Sequence, residues 1–109
     1  MSEVLGTFEQ AVLIAILRLK EDAYGRAIMK EVQARLQREV AAGAIYATLD
    51  RLEAKGLTAS QLGSGTPQRG GRARRFYTLE GAGIKALNES RTATTNIWRG
   101  VVLPLKGRA

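Results

Sequence analysis

The chain contains no histidine and no cysteine in 109 residues. That removes the Ser-His-Asp triad, the cysteine nucleophile, the zinc finger and the imidazole base in one step. It also removes disulfide stapling. Long apolar runs are missing too: the stretch from Ala11 to Leu17 is far short of a membrane span. Met1 to Thr7 carries no basic cluster ahead of an apolar segment, so nothing at the start reads as a signal peptide. The expectation is a soluble, cytoplasmic chain with no membrane partner and no cofactor. Acidic residues are absent between Glu53 and Glu80, where Lys55, Arg69, Arg72, Arg74 and Arg75 all fall.

What is present is 45% apolar and 25% charged, with 17 Lys and Arg against 10 Asp and Glu, for a net charge of +7. The apolar fraction excludes a disordered chain, and the length suits one domain. A domain of this size buries only about two-thirds of its unfolded surface, so a surplus apolar helix face is expected to meet a second subunit. Because the positive excess is confined to one short stretch, it reads as a binding surface for an acidic partner, nucleic acid first.

Helical spacing of Phe8, Val12, Leu13, Ile16, Leu17 and Leu19 predicts a first helix over about residues 7–20, with Thr7 to Gln10 as a capping box. Lys20-Glu21-Asp22 is a polar break. A second helix follows over about 23–37, with Ile28, Met29, Val32 and Leu36 on one face, and a third over about 42–55 with Ile45, Leu49 and Leu52 in a stripe. Gly56 stands where a helix stop belongs. Two short strands, about 57–62 and 73–79, flank a loop from Gly63 to Gly71 holding four glycines and one proline. Alternation puts Phe76 and Tyr77 on opposite faces and leaves open which faces the core. A last helix is predicted from Glu80 to about Leu103, with Pro104 as its end. Its seam, Ile84, Leu87, Arg91, Thr94, Trp98, Val101 and Leu105, is heptad-like.

Three helices and a hairpin with a basic tip are the order of a winged helix-turn-helix, whose third helix enters the major groove while the hairpin lies along the neighbouring minor groove. The fold class expected is therefore mainly α with a small β-hairpin, a winged helix-turn-helix domain over residues 1–79 and a C-terminal dimerisation helix over 80–109. Opposite the apolar stripe, the third helix carries Gly43, Ala44, Ala47, Asp50 and Arg51. The small residues allow close approach to base edges, and Arg51 suits a guanine or a phosphate. Tyr46, on the flank, can reach a phosphate with its hydroxyl. Arg69, Arg72, Arg74 and Arg75 complete the expected double-stranded DNA contacts.

These residues also carry a family resemblance. Leu5 to Leu13, the pair Tyr24-Gly25, the stretch Gly43 to Gly56 and the segment Gly70 to Leu79 resemble the PadR-like transcriptional regulators, over about Leu5 to Trp98. The resemblance implies a bacterial or archaeal repressor, acting as a homodimer on a palindromic operator near its own or a neighbouring gene. Tyr24, Tyr46 and Arg51 then become DNA contacts, Arg72, Arg74 and Arg75 wing contacts, and the last helix the dimer interface. In some members an aromatic compound releases the repressor. Trp98 and its symmetry mate, with Thr94 and Arg91 nearby, would here line a pore for a planar hydrophobic effector, unless Trp98 is an interface anchor only. The sequence departs from the family at Leu79-Glu80-Gly81, where members usually have a Thr to cap the last helix.

An enzyme is not expected. Glu21, Asp22, Asp50 and Glu53 sit beside cations on helix surfaces, and the loop Gly65 to Gly71 lacks the Lys-Ser/Thr ending of a phosphate loop. The remaining alternative is a protein–protein module whose basic hairpin meets an acidic partner.

Overall fold

The structure is a computed structural model and describes residues 4–63 and 74–105. The element order is α1 (Thr7–Leu19), a 3-10 turn (Lys20–Asp22), α2 (Gly25–Leu36), α3 (Ala42–Ala54), β1 (Thr58–Leu62), β2 (Arg75–Leu79) and α4 (Gly81–Trp98). The mainly helical class with one small hairpin is as expected.

The periodic stripes fill one core. Val12, Leu13 and Ile16 of α1, Ile28 and Val32 of α2, and Ile45, Leu49 and Leu52 of α3 are all buried, with Leu57 and Tyr77 closing the hairpin side. Tyr77 is thus the inward residue of its pair, and Phe76 is half-buried on the other face.

Three local details differ from expectation. The N-cap of α1 is Gly6, not Thr7. Glu9 supplies the return bond, its Oε1 accepting the Gly6 N–H at 3.2 Å, and Gln10 instead donates from its side chain to the Leu5 carbonyl at 2.9 Å. Helix α2 starts two residues late because Ala23 and Tyr24 belong to the sheet. The Ala23 carbonyl accepts the Tyr77 N–H at 2.8 Å, and Tyr24 forms an isolated bridge with Phe76. Helix α4 stops at Trp98, not near Leu103, because Gly100 turns the chain with φ +77°; Pro104 lies beyond the end. Val101 and Leu105 of the predicted seam therefore fall outside the helix.

Gly56 does end α3 as expected. It sits at φ +78°, donating to the Glu53 carbonyl, while Leu57 donates to the Leu52 carbonyl. This paired pattern satisfies the last carbonyls of the helix, and only glycine adopts that backbone without strain. The turn aims the chain into β1, which pairs antiparallel with β2 in the register Thr58 to Leu79 and Leu62 to Arg75. No side chain caps α4 at Glu80. Its start is fixed by the backbone instead, Glu80 donating to the Leu57 carbonyl at 2.9 Å.

Helix α4 packs through small residues, Gly83, Ala86 and Ser90. A Cβ on Gly83 would collide with the Leu57 carbonyl, so the helix lies hard against the base of the hairpin. Ser90 is fully buried and its hydroxyl accepts the Leu5 N–H at 2.9 Å, tying the N-terminal segment to the same helix. From Arg91 onward α4 is exposed apart from a half-buried Ala93. Among the described residues no helix is long and apolar enough to cross a membrane.

Candidate nucleic-acid interface

Helix α3 turns Ile45, Thr48, Leu49 and Leu52 inward and leaves Gly43, Ala44, Tyr46, Ala47, Asp50 and Arg51 exposed. The face expected to meet DNA is one continuous surface along the helix. In its N-terminal half Gly43, Ala44 and Ala47 carry almost no side-chain volume, with Tyr46 standing at their flank, so another macromolecule can come close to the backbone between them.

Tyr46 is 48% exposed, and one side of its ring lies across Gly25 at the start of α2. A Cβ at position 25 would overlap the Tyr46 ring and hydroxyl. That close approach is the physical reason for a glycine at position 25, which a linear reading does not supply. The available signal is a glycine in the first turn of a helix, where alanine is otherwise preferred.

The cations of α3 are not simply solvated. Arg51 donates from Nη2 to the Thr48 hydroxyl at 3.3 Å, and its Nε lies 3.9 Å from Glu9 Oε2. Lys55 Nζ lies 3.5 Å from the same oxygen. Sequence reasoning misses Glu9, because nothing in the linear pattern links positions 9 and 51.

At the base of the hairpin, the guanidinium of Arg74 stacks 3.9 Å over the Tyr24 ring. Tyr24 in turn meets Phe76 edge to face, with centroids 5.8 Å apart. Phe76 closes against Gly63, whose N–H donates to the Arg74 carbonyl at 2.7 Å. Two of the expected DNA-contacting residues, Tyr24 and Arg74, are therefore one stack. Arg75 alternates to the other face and donates to the Ser60 hydroxyl at 3.1 Å, and Ser60 donates to Glu53 at 2.7 Å. Arg69 and Arg72 lie outside the described residues. Burial pushes the Tyr77 hydroxyl pKa up, and the Asp50 carboxylate adds to the shift.

The second expected cluster lies elsewhere, along α4. Arg91 and Thr94 line a groove of about 590 Å³ between α1 and α4, together with Ile14, Leu17, Ile84 and Leu87. Trp98 is 49% exposed and lies one turn past Thr94, outside the groove lining. Sequence reasoning misses the α1 wall. Its signal is that α1 has more apolar residues than one buried stripe can use: Ile14 and Leu17 are exposed.

Three packed helices feeding an antiparallel hairpin, with a small-residue face on the third helix and arginines at the hairpin base, define a winged helix-turn-helix protein. The model of the transcriptional regulator PadR-like family matches residues 13–89, well over half the length, and the chain belongs to that family of DNA-binding transcriptional regulators. Its structure is similar to that of a PadR family transcriptional regulator from Eggerthella lenta DSM 2243, at 28% identity and TM-score 0.65, covering 82% of this chain and 75% of that one. It is similar also to a PadR-like transcription factor from Bacteroides fragilis, at 26% identity and TM-score 0.70, covering 86% and 85%. A PadR family regulator from Clostridium difficile R20291 matches at 26% identity and TM-score 0.65, covering 86% and 93%. No curated protein matches the chain.

Proposed function

We propose that the protein is a homodimeric repressor that reads a palindromic operator with α3 in the major groove and the hairpin on the flanking backbone. The observation that carries this reading is the exposed face of α3, where Gly43, Ala44 and Ala47 form a bare surface flanked by Tyr46 and Arg51. Small side chains admit base edges; Tyr46, Arg51, Arg69, Arg72, Arg74 and Arg75 supply the polar and cationic contacts. Tyr24 belongs to the same interface through its stack with Arg74. Residues 1–79 are the DNA-binding part and 80–109 the dimerisation part.

Dimerisation through α4 is supported by shape. The radius of gyration is 16.7 Å, against about 13 Å for a compact domain of this length. Among the described residues, the second half of α4 is largely uncovered by its own chain, and Ile97 and Trp98 are exposed at its end. A two-fold partner on this face places two α3 helices about one DNA turn apart. Trp98, with its symmetry mate and with Arg91 and Thr94 nearby, then borders a central pore that takes a planar hydrophobic effector and releases DNA.

The test is Ala47→Glu. A carboxylate on the bare face should abolish binding to duplex DNA while leaving the melting temperature and the dimer intact, because the position is exposed. Full DNA affinity in that variant would remove α3 from the interface. Titrating planar cationic dyes against the Trp98 emission tests the effector; unchanged emission at high dye counts against the pore.

A further inference from the structure

Glu9 belongs to α1, yet its carboxylate acts on α3. One oxygen accepts the Gly6 N–H, while the other faces Lys55 Nζ at 3.5 Å and Arg51 Nε at 3.9 Å. The Glu9 side chain is only 18% exposed, against 55% for Arg51 and 35% for Lys55. Arg51 and Lys55 stand four residues apart on one helix face, where like charges repel. Glu9 places an anion within 4 Å of both. A carboxylate oxygen facing a guanidinium and an ammonium stands where a phosphate oxygen could stand.

We infer that Glu9 is an internal competitor for the DNA backbone: in the free protein it occupies the cation pair Arg51 and Lys55 as a phosphate would, and so restrains sequence-independent binding. This rests on the reading of α3 as the DNA-facing helix. On binding, a phosphate either displaces Glu9 from the pair or sits beside its negative charge. Both cases weaken the electrostatic part of affinity, which is the part that random DNA uses. Contacts to base edges at Gly43, Ala44 and Ala47 lie further toward the helix N-terminus and are not affected. Glu9 is therefore a specificity-determining residue that reads no base itself.

The test uses the full chain with Glu9→Gln, whose amide oxygen can still accept the Gly6 N–H. Binding to a random-sequence duplex is measured by anisotropy across a salt series. The variant should bind about fivefold more tightly per protomer at low salt, and its log–log salt slope should steepen by up to about one per protomer. In an Arg51→Ala/Lys55→Ala background the gain should vanish. A gain that survives there is a general charge effect and overturns the inference. Parent-like binding by Glu9→Gln, with Arg51→Ala/Lys55→Ala weakened, makes Glu9 a helix cap only and overturns it while sparing the α3 reading. If Arg51→Ala/Lys55→Ala binds like the parent, the α3 reading fails with it. Should Glu9→Gln loosen the fold in thermal melts, Glu9→Asp serves instead. It keeps the charge but shortens the reach, so it should bind random DNA more tightly than the parent, and parent-like binding rejects the competition.

Discussion

Gly25 is the residue on which the exposed face of α3 depends most directly, because the Tyr46 ring rests where its side chain would be. Two effects meet when alanine is put there. Alanine favours a helix over glycine by about 0.5–1 kcal/mol, and the atoms it would strike are the far end of the half-exposed Tyr46 ring, which swings into solvent at little cost. Gly25→Ala should therefore keep stability within about 1 kcal/mol of the parent in a urea titration, while it moves Tyr46 off the surface it now shapes and weakens DNA binding. Parent-like DNA binding would show that the position of Tyr46 does not matter to that surface. Glu31 offers a different residue-scale test. Its carboxylate pKa is lowered from the usual 4.5, first by the hydrogen bond from Arg35 and then by that from Arg18. A depressed carboxylate contributes stability above its unfolded pKa and loses it as pH falls through the folded value. The stability gap between the parent and Glu31→Gln should therefore be constant near neutrality and close below about pH 4.5. Denaturant titrations over an acid series read it; a gap that persists at low pH would mean the ion pairs are not its source.

At the scale of elements, the hairpin carries the arginines in two different ways. Arg74 is stacked on Tyr24, at the start of α2, whereas Arg75 is tied through Ser60 to Glu53 at the end of α3. Both are oriented by the fold before any ligand arrives, which lowers the ordering cost of a backbone contact. Arg74→Ala with Arg75→Ala should weaken binding to every DNA sequence alike and flatten the log–log salt slope by about 0.9 for each phosphate left without its cation. An unchanged slope would take the hairpin off the backbone. The elements themselves are legible in the sequence where a stripe and a stop coincide. Ile45, Leu49, Leu52 and Gly56 place α3 almost to the residue. Legibility fails where the pattern outlasts the backbone. The steps of three and four continue through Val101 and Leu105, but Gly100 has already turned the chain. Periodicity counts side chains and does not register one positive φ. The α2 start fails for another reason, since Ala23 and Tyr24 are claimed by β2, a partner more than fifty residues away in the chain.

For the whole molecule, the expected DNA face is legible because it is written in composition: small residues opposite a stripe, cations in a stretch without acids. What those residues touch is not. The stack of Arg74 on Tyr24 and the grip of Glu9 on Arg51 join distant positions, and only folding brings them together. The same limit hides the groove, whose α1 wall and α4 wall are each unremarkable alone. The proposed dimer joins the groove and the DNA face in one assembly. Two copies joined through α4 would place about six cations on phosphates, for a log–log salt slope of roughly −5. The central claim is that this dimer recognises a particular operator, and fluorescence anisotropy tests it most directly. The protein is titrated onto duplex DNA from upstream of its own gene and onto a scrambled duplex of equal length, at two salt concentrations. The account predicts binding at least about a hundredfold tighter to the native duplex, with two protomers per site. Equal, weak binding to both duplexes, or one protomer per site, would contradict it.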